Sequence, residues 1–312
     1  MEYRRLGNSG LKVSSVGLGT NNFGSRMEEK QSVDLIHHAL DIGVNFIDTA
    51  NIYGDSLSEQ HIGKAIKGIR DKLIIATKVS GPRGEGPNDK GASRGHILRE
   101  VEGSLTRLKT DYIDLYQMHW WSAETQIDET LRTLDNLVRE GKVRYIGCSN
   151  YTAWQACEAI WTSHSLNLEP FVSIQPEWSM LNRDIEQELL PFAKTYKMGI
   201  LPYFPLASGF LTGKYQRGTP VPEGTRFEKV PKLGERTLTD KNFDTLDKIE
   251  VFASGHGYPL VEMAIAWLLY NQEVSSVIAG ASTPDQLNIN AKASDLRLTA
   301  ADMEELNNIL SS

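Results

Sequence analysis

The sequence predicts an α/β protein, a single (β/α)8 barrel of the TIM-barrel type with an N-terminal β-hairpin and extra C-terminal helices. Three observations lead there. Eight short apolar, β-branched runs recur along the 312 residues. Amphipathic stretches at helical spacing separate them. No linker or shift in composition splits the chain, so residues 1–312 are expected to form one domain. The apolar runs are nearly continuous, as parallel strands buried on both faces require.

The elements follow in order. Tyr3–Leu6 and Leu11–Ser14 flank Gly7-Asn8-Ser9-Gly10, a turn rich in residues that tolerate positive φ, and so read as a hairpin plugging the barrel bottom. The strand runs are Ser15–Leu18, Val44–Ile47, Leu73–Thr77, Tyr112–Met118, Val143–Gly147, Phe171–Ile174, Gly199–Leu201 and Val274–Ile278. Val33-Ile36-His37-Leu40, Leu98-Val101-Leu105-Leu108 and Leu131-Leu134-Leu137-Val138 have helical spacing. Ser58-Glu59-Gln60-His61 marks a helix start and Gly141 a helix stop. Thr212–Thr239, rich in Gly, Pro and charge, is longer than a routine barrel connection.

Composition narrows the function. Lys and Arg number 33 against 40 Asp and Glu, a formal charge of −7, which argues against a nucleic-acid or anionic-membrane partner. Cys148 and Cys157 are too few for a disulfide scaffold, and the seven histidines lack metal-ligand spacing, so no metal is expected. Met1-Glu2-Tyr3-Arg4-Arg5 lacks the apolar core of a secretory signal. The longest strongly apolar run, Met263–Tyr270, falls far short of the roughly 20 residues a membrane helix needs. These features predict a soluble, cytoplasmic protein of open oligomeric state.

Chemistry in such barrels collects at the C-terminal strand ends. The second strand runs into Asp48, the third ends at Lys78, the fourth at His119, and Tyr53 follows on the loop after Asp48. Consecutive strands bring these four to one rim. A tyrosine hydroxyl, with an ordinary pKa of about 10, is protonated at neutral pH. A neighbouring ammonium is expected to lower that value by roughly 1 to 3. Asp48 would hold Lys78, and His119 would orient an oxygen beside Tyr53. The set suits protonation of an oxygen gaining negative charge, as when a carbonyl accepts a hydride from a cofactor.

The stretch Gly43–Gly54 (GVNFIDTANIYG), with Ala76-Thr77-Lys78, Asp114–His119 (DLYQMH) and Gly141–Asn150 (GKVRYIGCSN), resembles the aldo-keto reductase signature. The likeness covers the chain from Gly17-Leu18-Gly19-Thr20 to Asn290. Ser208–Tyr215 (SGFLTGKY) resembles the bacterial and potassium-channel-β-like branches. The resemblance implies NADPH-dependent reduction of small aldehydes or ketones, with Asp48, Tyr53, Lys78 and His119 matching the catalytic four. It implies that Ser149, Asn150 and Gln175 hold the nicotinamide carboxamide, and that Tyr203 stacks on its ring, with Gly19, Thr20, Asn21 and Asp48 nearby. Phe204, Leu206, Ser208, Gly209 and Lys214, joined by Arg226, match the pyrophosphate loop. Gly280, Ser282, Gln286 and Asn290 match the adenosine-phosphate site. Arg217–Leu238 is expected to close over the cofactor.

Gly280 and Gln286 stand where strongly NADPH-preferring branches often carry lysine and arginine, so NADH stays open beside the favoured NADPH. Trp120, Trp121 and Trp178 are expected to wall a substrate pocket suited to an apolar or aromatic group. Two rivals differ in class. A glycosidase would pair Asp48 with Glu177, which Lys78 opposes. A cofactor-sensing regulatory subunit would keep the nucleotide site with weak turnover.

Overall fold

The computed structural model describes residues 1–311. Strands β1 (Tyr3–Arg5) and β2 (Lys12–Ser14) form the expected antiparallel hairpin, with Tyr3 opposite Ser14. Eight parallel strands follow: β3 (Val16–Gly19), β4 (Phe46–Asp48), β5 (Ile74–Val79), β6 (Ile113–Met118), β7 (Val143–Ser149), β8 (Ser173–Gln175), β9 (Gly199–Ile200) and β10 (Val277–Gly280). They lie in the order β10-β3-β4-β5-β6-β7-β8-β9. Parallel bridges Ile200–Val274 and Tyr203–Ile278 bring the two edges together, giving the (β/α)8 architecture.

The helices are α1 (Glu29–Asp41), α2 (Leu57–Ala65), α3 (Arg94–Leu108), α4 (Ile127–Arg139), α5 (Ala153–Leu166), α6 (Leu189–Tyr196), α7 (Arg226–Lys229), α8 (Pro231–Thr237), α9 (Asp240–His256), α10 (Leu260–Leu269), α11 (Pro284–Lys292) and α12 (Ala300–Ser311). Helix α12, beyond the last barrel helix, packs on α9. No helix among the described residues is long and apolar enough to cross a membrane. Beyond shifts of a few residues at the strand edges, the structure departs from the sequence reading in two places. Helix α2 starts at Leu57, because Ser58 bonds inward to Thr20 and Thr49 instead of capping. Thr212–Thr239 is not bare loop: it contains α7 and α8, docked by Arg236 to Glu177 at 2.7 Å and by Arg217 to Asp240 and Asp244.

Side chains alternate across each strand, and this period of two builds the site. Phe46, Ala76 and Leu115 meet Leu6 and Val13 of the hairpin, with Leu201 and Ile278, in a small cluster inside the barrel. Ile47 and Tyr116, one residue on, join the larger layer between strands and helices. Two residues on from the inner set stand Asp48, Lys78 and Gln117, and His119 follows Gln117 by two more. Parallel register sets Asp48 beside Ala76 and Lys78 beside Gln117.

Closing the barrel bottom depends on Gly7. Its φ is +54°, and a Cβ there would sit 2.2 Å from the Val172 carbonyl oxygen and 2.6 Å from the Gly199 nitrogen, both backbone atoms. Gly7→Ala is expected to lower stability by at least about 2 kcal/mol while leaving the distant strand ends intact. Urea unfolding checks this, and an unchanged midpoint would show that the plug is not tightly seated.

Candidate active site

Lys78 is fully buried and lies at the centre of the C-terminal rim. Its Nζ donates to Asp48 Oδ1 at 2.5 Å, to the Thr49 carbonyl at 2.8 Å and to Tyr53 OH at 3.4 Å. The other Asp48 oxygen accepts from Gln175 Nε2 at 2.8 Å and from Gln117 Nε2 at 3.2 Å. A buried ion pair persists only where remaining donors and acceptors are met, and Asp48 has three donors. Burial works against the Lys78 ammonium, but Asp48 and Tyr53 hold its pKa above the ordinary value.

Tyr53 differs from expectation. Burial raises its pKa and outweighs the pull of Lys78, so the hydroxyl is held protonated rather than tuned toward the phenolate. His119 is driven down to about 2 by burial and by Lys78, and is therefore neutral. Its ring meets Tyr53 edge-on, with centroids 5.8 Å apart. Trp120 stacks flat on the other side at 3.7 Å.

The turn carrying Tyr53 is tied down at several points. Asn51 N donates to the Lys78 carbonyl at 3.2 Å, and Ser56 Oγ to the Asn51 carbonyl at 2.6 Å. Asn51 Nδ2 donates to Glu100 Oε2 on α3 at 2.8 Å. Gly54 has φ +57°, and a Cβ would meet the Phe23 carbonyl at 2.4 Å, so the turn needs glycine. Behind β5, Thr77 donates to Glu59 at 2.6 Å, and Arg107 bridges Glu59 and Glu100 at 2.6 and 3.9 Å. Sequence reading missed this network, because Glu59, Glu100 and Arg107 look like ordinary helix-surface charges.

The residues expected near a nicotinamide converge on the same rim. Ser149 Oγ donates to the Gln175 carbonyl at 2.8 Å. Asn150, at φ +57°, donates to the His119 carbonyl at 3.0 Å and accepts from Tyr203 OH at 2.8 Å, which pins the Tyr203 ring. Thr20 Oγ1 donates to the Asp48 carbonyl at 2.9 Å, and Gly19 pairs in register with Asp48 and Gly280. Asn21 accepts from Ser25 on the adjoining loop.

In the segment after Tyr203, Phe204, Ala207, Ser208 and Gly209 all have positive φ, and an added Cβ at Gly209 would sit 3.1 Å from Lys214 Nζ. The run follows Tyr203 closely and includes Leu206, whose carbonyl accepts from Gly209 N at 2.8 Å. Arg226 lies over the Phe204 ring at 4.3 Å. At the start of α11, Gln286 accepts from Ser282 N at 2.9 Å, and Asn290 donates to the Gly280 carbonyl at 3.3 Å. Thr283 is the N-cap.

Not every expected residue reaches the pocket. Trp178 is 1% exposed, edges against Trp267 and donates to Glu186. It packs between the barrel and α10 and offers no wall to a ligand, a correction to the sequence reading. Trp120 is 40% exposed over the rim, and Trp121 lies edge-on to Tyr151 and Trp154. Burial pushes the Cys148 thiol well above its usual range, so it is no nucleophile. Glu177 is engaged by Arg236 and Asp48 by Lys78, which leaves no free carboxylate pair for glycoside hydrolysis. Gln117 was missed, although its place two residues before His119 puts it on the same face of β6. Asn22 was also missed: its Nδ2 donates to the Ala281 carbonyl at 2.7 Å and to Ser282 Oγ at 3.2 Å.

The chain belongs to the aldo/keto reductase family, whose model matches residues 15–311. Among its relatives, a probable voltage-gated potassium channel subunit beta from Oryza sativa subsp. japonica is 38% identical, covering 95% of this chain and 92% of that one. Aldo-keto reductase YhdN of Bacillus subtilis is 35% identical, covering 99% and 94%. An L-glyceraldehyde 3-phosphate reductase of Escherichia coli O157:H7 is 32% identical, covering 94% and 87%.

Two predictions follow from the electrostatics. Lys78→Met leaves the buried Asp48 carboxylate unpaired and is expected to cost about 3–5 kcal/mol in stability; a loss below about 1 kcal/mol in urea unfolding would contradict the pairing. As pH falls below about 6.5, the unfolded chain protonates His119 while the folded chain refuses that proton until about 2, so stability falls with pH across that window. His119→Asn should flatten the stability slope between about pH 6 and 5 by about 1 kcal/mol per pH unit. An unaltered slope would mean that His119 titrates normally in the folded protein.

Proposed function

We propose that this protein is an NADPH-dependent reductase of small aldehydes or ketones, with Asp48, Tyr53, Lys78 and His119 as its catalytic residues. The observation that carries the reading is the buried ammonium of Lys78, shared between the Asp48 carboxylate and the Tyr53 hydroxyl. The nicotinamide group, when bound, supplies a hydride to the carbonyl carbon. Tyr53 OH then donates its proton to the carbonyl oxygen as negative charge develops there. Lys78 stabilises the phenolate left behind, and Asp48 keeps Lys78 in place. Neutral His119 borders the position of the oxygen and, with Trp120, excludes water. The high pKa of Tyr53 in the free protein suits an acid that must stay protonated until the oxyanion forms.

Ser149, Asn150, Gln175 and Tyr203 would hold the nicotinamide, with Gly19, Thr20 and Asn21 beside them. Phe204, Leu206, Ser208, Gly209, Lys214 and Arg226 would hold the diphosphate, and Gly280, Ser282, Gln286 and Asn290 the adenosine end. The donor set fits a polyanion: the side chains of Lys214 and Arg226 have no ion-pair partner among the described residues, and the carboxylates of the rim are already engaged. NADPH is the favoured cofactor, with NADH the comparison. The exposed face of Trp120 favours a substrate with an apolar or aromatic part. Residues 217–238 would close over the cofactor, latched by Arg236 on Glu177. The protein would work in the cytoplasm.

A second reading has specific support, since a relative at 38% identity is named as a potassium channel subunit. In it the cofactor is bound and sensed with weak turnover. Consumption of NADPH, followed at its nicotinamide absorbance with 4-nitrobenzaldehyde and methylglyoxal, separates the two. Tyr53→Phe is expected to lower the turnover number by about 10²- to 10⁴-fold, with NADPH affinity within about twofold of the parent protein. A variant retaining most of its rate would remove Tyr53 as the acid.

A further inference from the structure

The imidazole of His119 is oriented by packing. Its Nδ1 is buried with no hydrogen-bond partner, so no polar contact on that nitrogen fixes the ring plane. Tyr53 meets the ring edge-on, and the Trp120 indole lies within 8° of parallel at 3.7 Å. Trp120 is itself 40% exposed, so its own ring is only partly held by neighbours. Its backbone supplies the anchor: Trp120 N donates to Ser80 Oγ at 3.0 Å.

The segment directly after β5 carries that anchor and reaches further. A Cβ added at Gly81 would meet Trp120 Cζ3 at 3.3 Å and Ile52 Cγ2 at 2.7 Å, so the Gly81 backbone packs against both residues. Ile52 precedes Tyr53, and Asp55 of the same turn accepts from Arg83 at 2.9 Å. Residues 80–83 therefore touch the Trp120 side and the Tyr53 side of the reacting centre together.

Ser80 makes its contact from a strained backbone. Its φ is +111°, a region that glycine occupies freely and residues with a Cβ rarely adopt. Glycine would serve the backbone equally well, because the Ser80 carbonyl accepts from Gly91 N at 2.9 Å without any side chain. Among the described residues, the bond from Trp120 N is the only one that uses the Ser80 hydroxyl. Ser80 is 7% exposed, so water does not readily replace that hydroxyl as acceptor. Strain of this kind persists where the surroundings over-determine a residue, and it gathers at functional sites.

We propose that Ser80 is a positioning residue for the reacting centre: its hydroxyl anchors Trp120, and Trp120 sets the plane of His119. The inference deepens the reductase reading above and rests on it. With the hydroxyl in place the indole stays flat on the imidazole, and His119 borders the carbonyl oxygen without sampling other ring orientations. Loss of the hydroxyl frees the Trp120 backbone, so the stack loosens while the barrel is kept.

Nuclear magnetic resonance of the imidazole protons tests this in the free protein, because a stacked indole shifts those protons upfield. His119→Asn assigns the signal, and Trp120→Ala shows how far the stack displaces it. Ser80→Gly is expected to lose most of that displacement. An unchanged His119 signal in Ser80→Gly would overturn the proposal.

Kinetics supply the second arm. Ser80→Gly and Ser80→Ala both lack the hydroxyl, but only alanine keeps the strain, so the glycine variant should unfold at higher urea than the alanine one. Activity should not follow that order: both should lower kcat by about three- to thirtyfold, with KM for NADPH within about twofold of the parent protein. In a Trp120→Ala background, Ser80→Gly should cost no further rate. A rate lost in Ser80→Ala and kept in Ser80→Gly would follow stability alone and remove the positioning role. If the parent protein reduces no carbonyl, the reductase reading fails, and the His119 signal still decides whether Ser80 sets the ring.

Discussion

The ion pair between Lys78 and Asp48 is the constraint on which the open end of the barrel depends. An ammonium with no exposure is tolerated only beside a carboxylate, and a carboxylate at 2% exposure is tolerated only with its oxygens occupied. Gln117 and Gln175 occupy the second oxygen, and the Thr49 carbonyl takes a further Lys78 proton. Strands β4, β5, β6 and β8 therefore each contribute to one cluster. Shifting any of them by one residue would turn its polar group outward and strand the rest. The pair thus specifies strand register as well as chemistry.

The same burial sets the protonation states around it. Low solvent access favours the neutral forms of Tyr53 and His119, and Lys78 adds to this for His119 by repelling a second positive charge. For Tyr53 the two influences oppose each other, and burial prevails. The ammonium therefore does not keep Tyr53 ionised at rest. In the reaction proposed above, its value would lie in the charge it offers once the hydroxyl has given up its proton. That asymmetry between resting and reacting states would suit an acid catalyst.

Much of this architecture was legible in the sequence, for identifiable reasons. Buried parallel strands leave continuous apolar runs, so all eight barrel strands were readable, with their edges moved by a few residues. Polar residues at the ends of such runs are conspicuous, which is why Asp48, Lys78 and His119 stood out. Gln117 did not, because a glutamine within a strand carries no signal unless the alternation is followed back from His119. Trp178 misled because its place after a strand end says nothing of which way the ring turns, and the ring turned to Trp267. The pKa of Tyr53 was misjudged in direction because sequence reveals a neighbouring charge but not the depth of burial.

The rim is arranged before any ligand arrives. Asp48 and Lys78 satisfy each other, and Gln117 and Gln175 fill the remaining carboxylate oxygen, so these groups need little reorganisation. The segment after Tyr203 is built differently: Arg226 lies over the Phe204 ring and Lys214 over the Tyr215 ring, and neither has an ion-pair partner among the described residues. The buried pair therefore keeps the formal charge of the rim at zero, while the positive charge nearby stands on the segment beyond it.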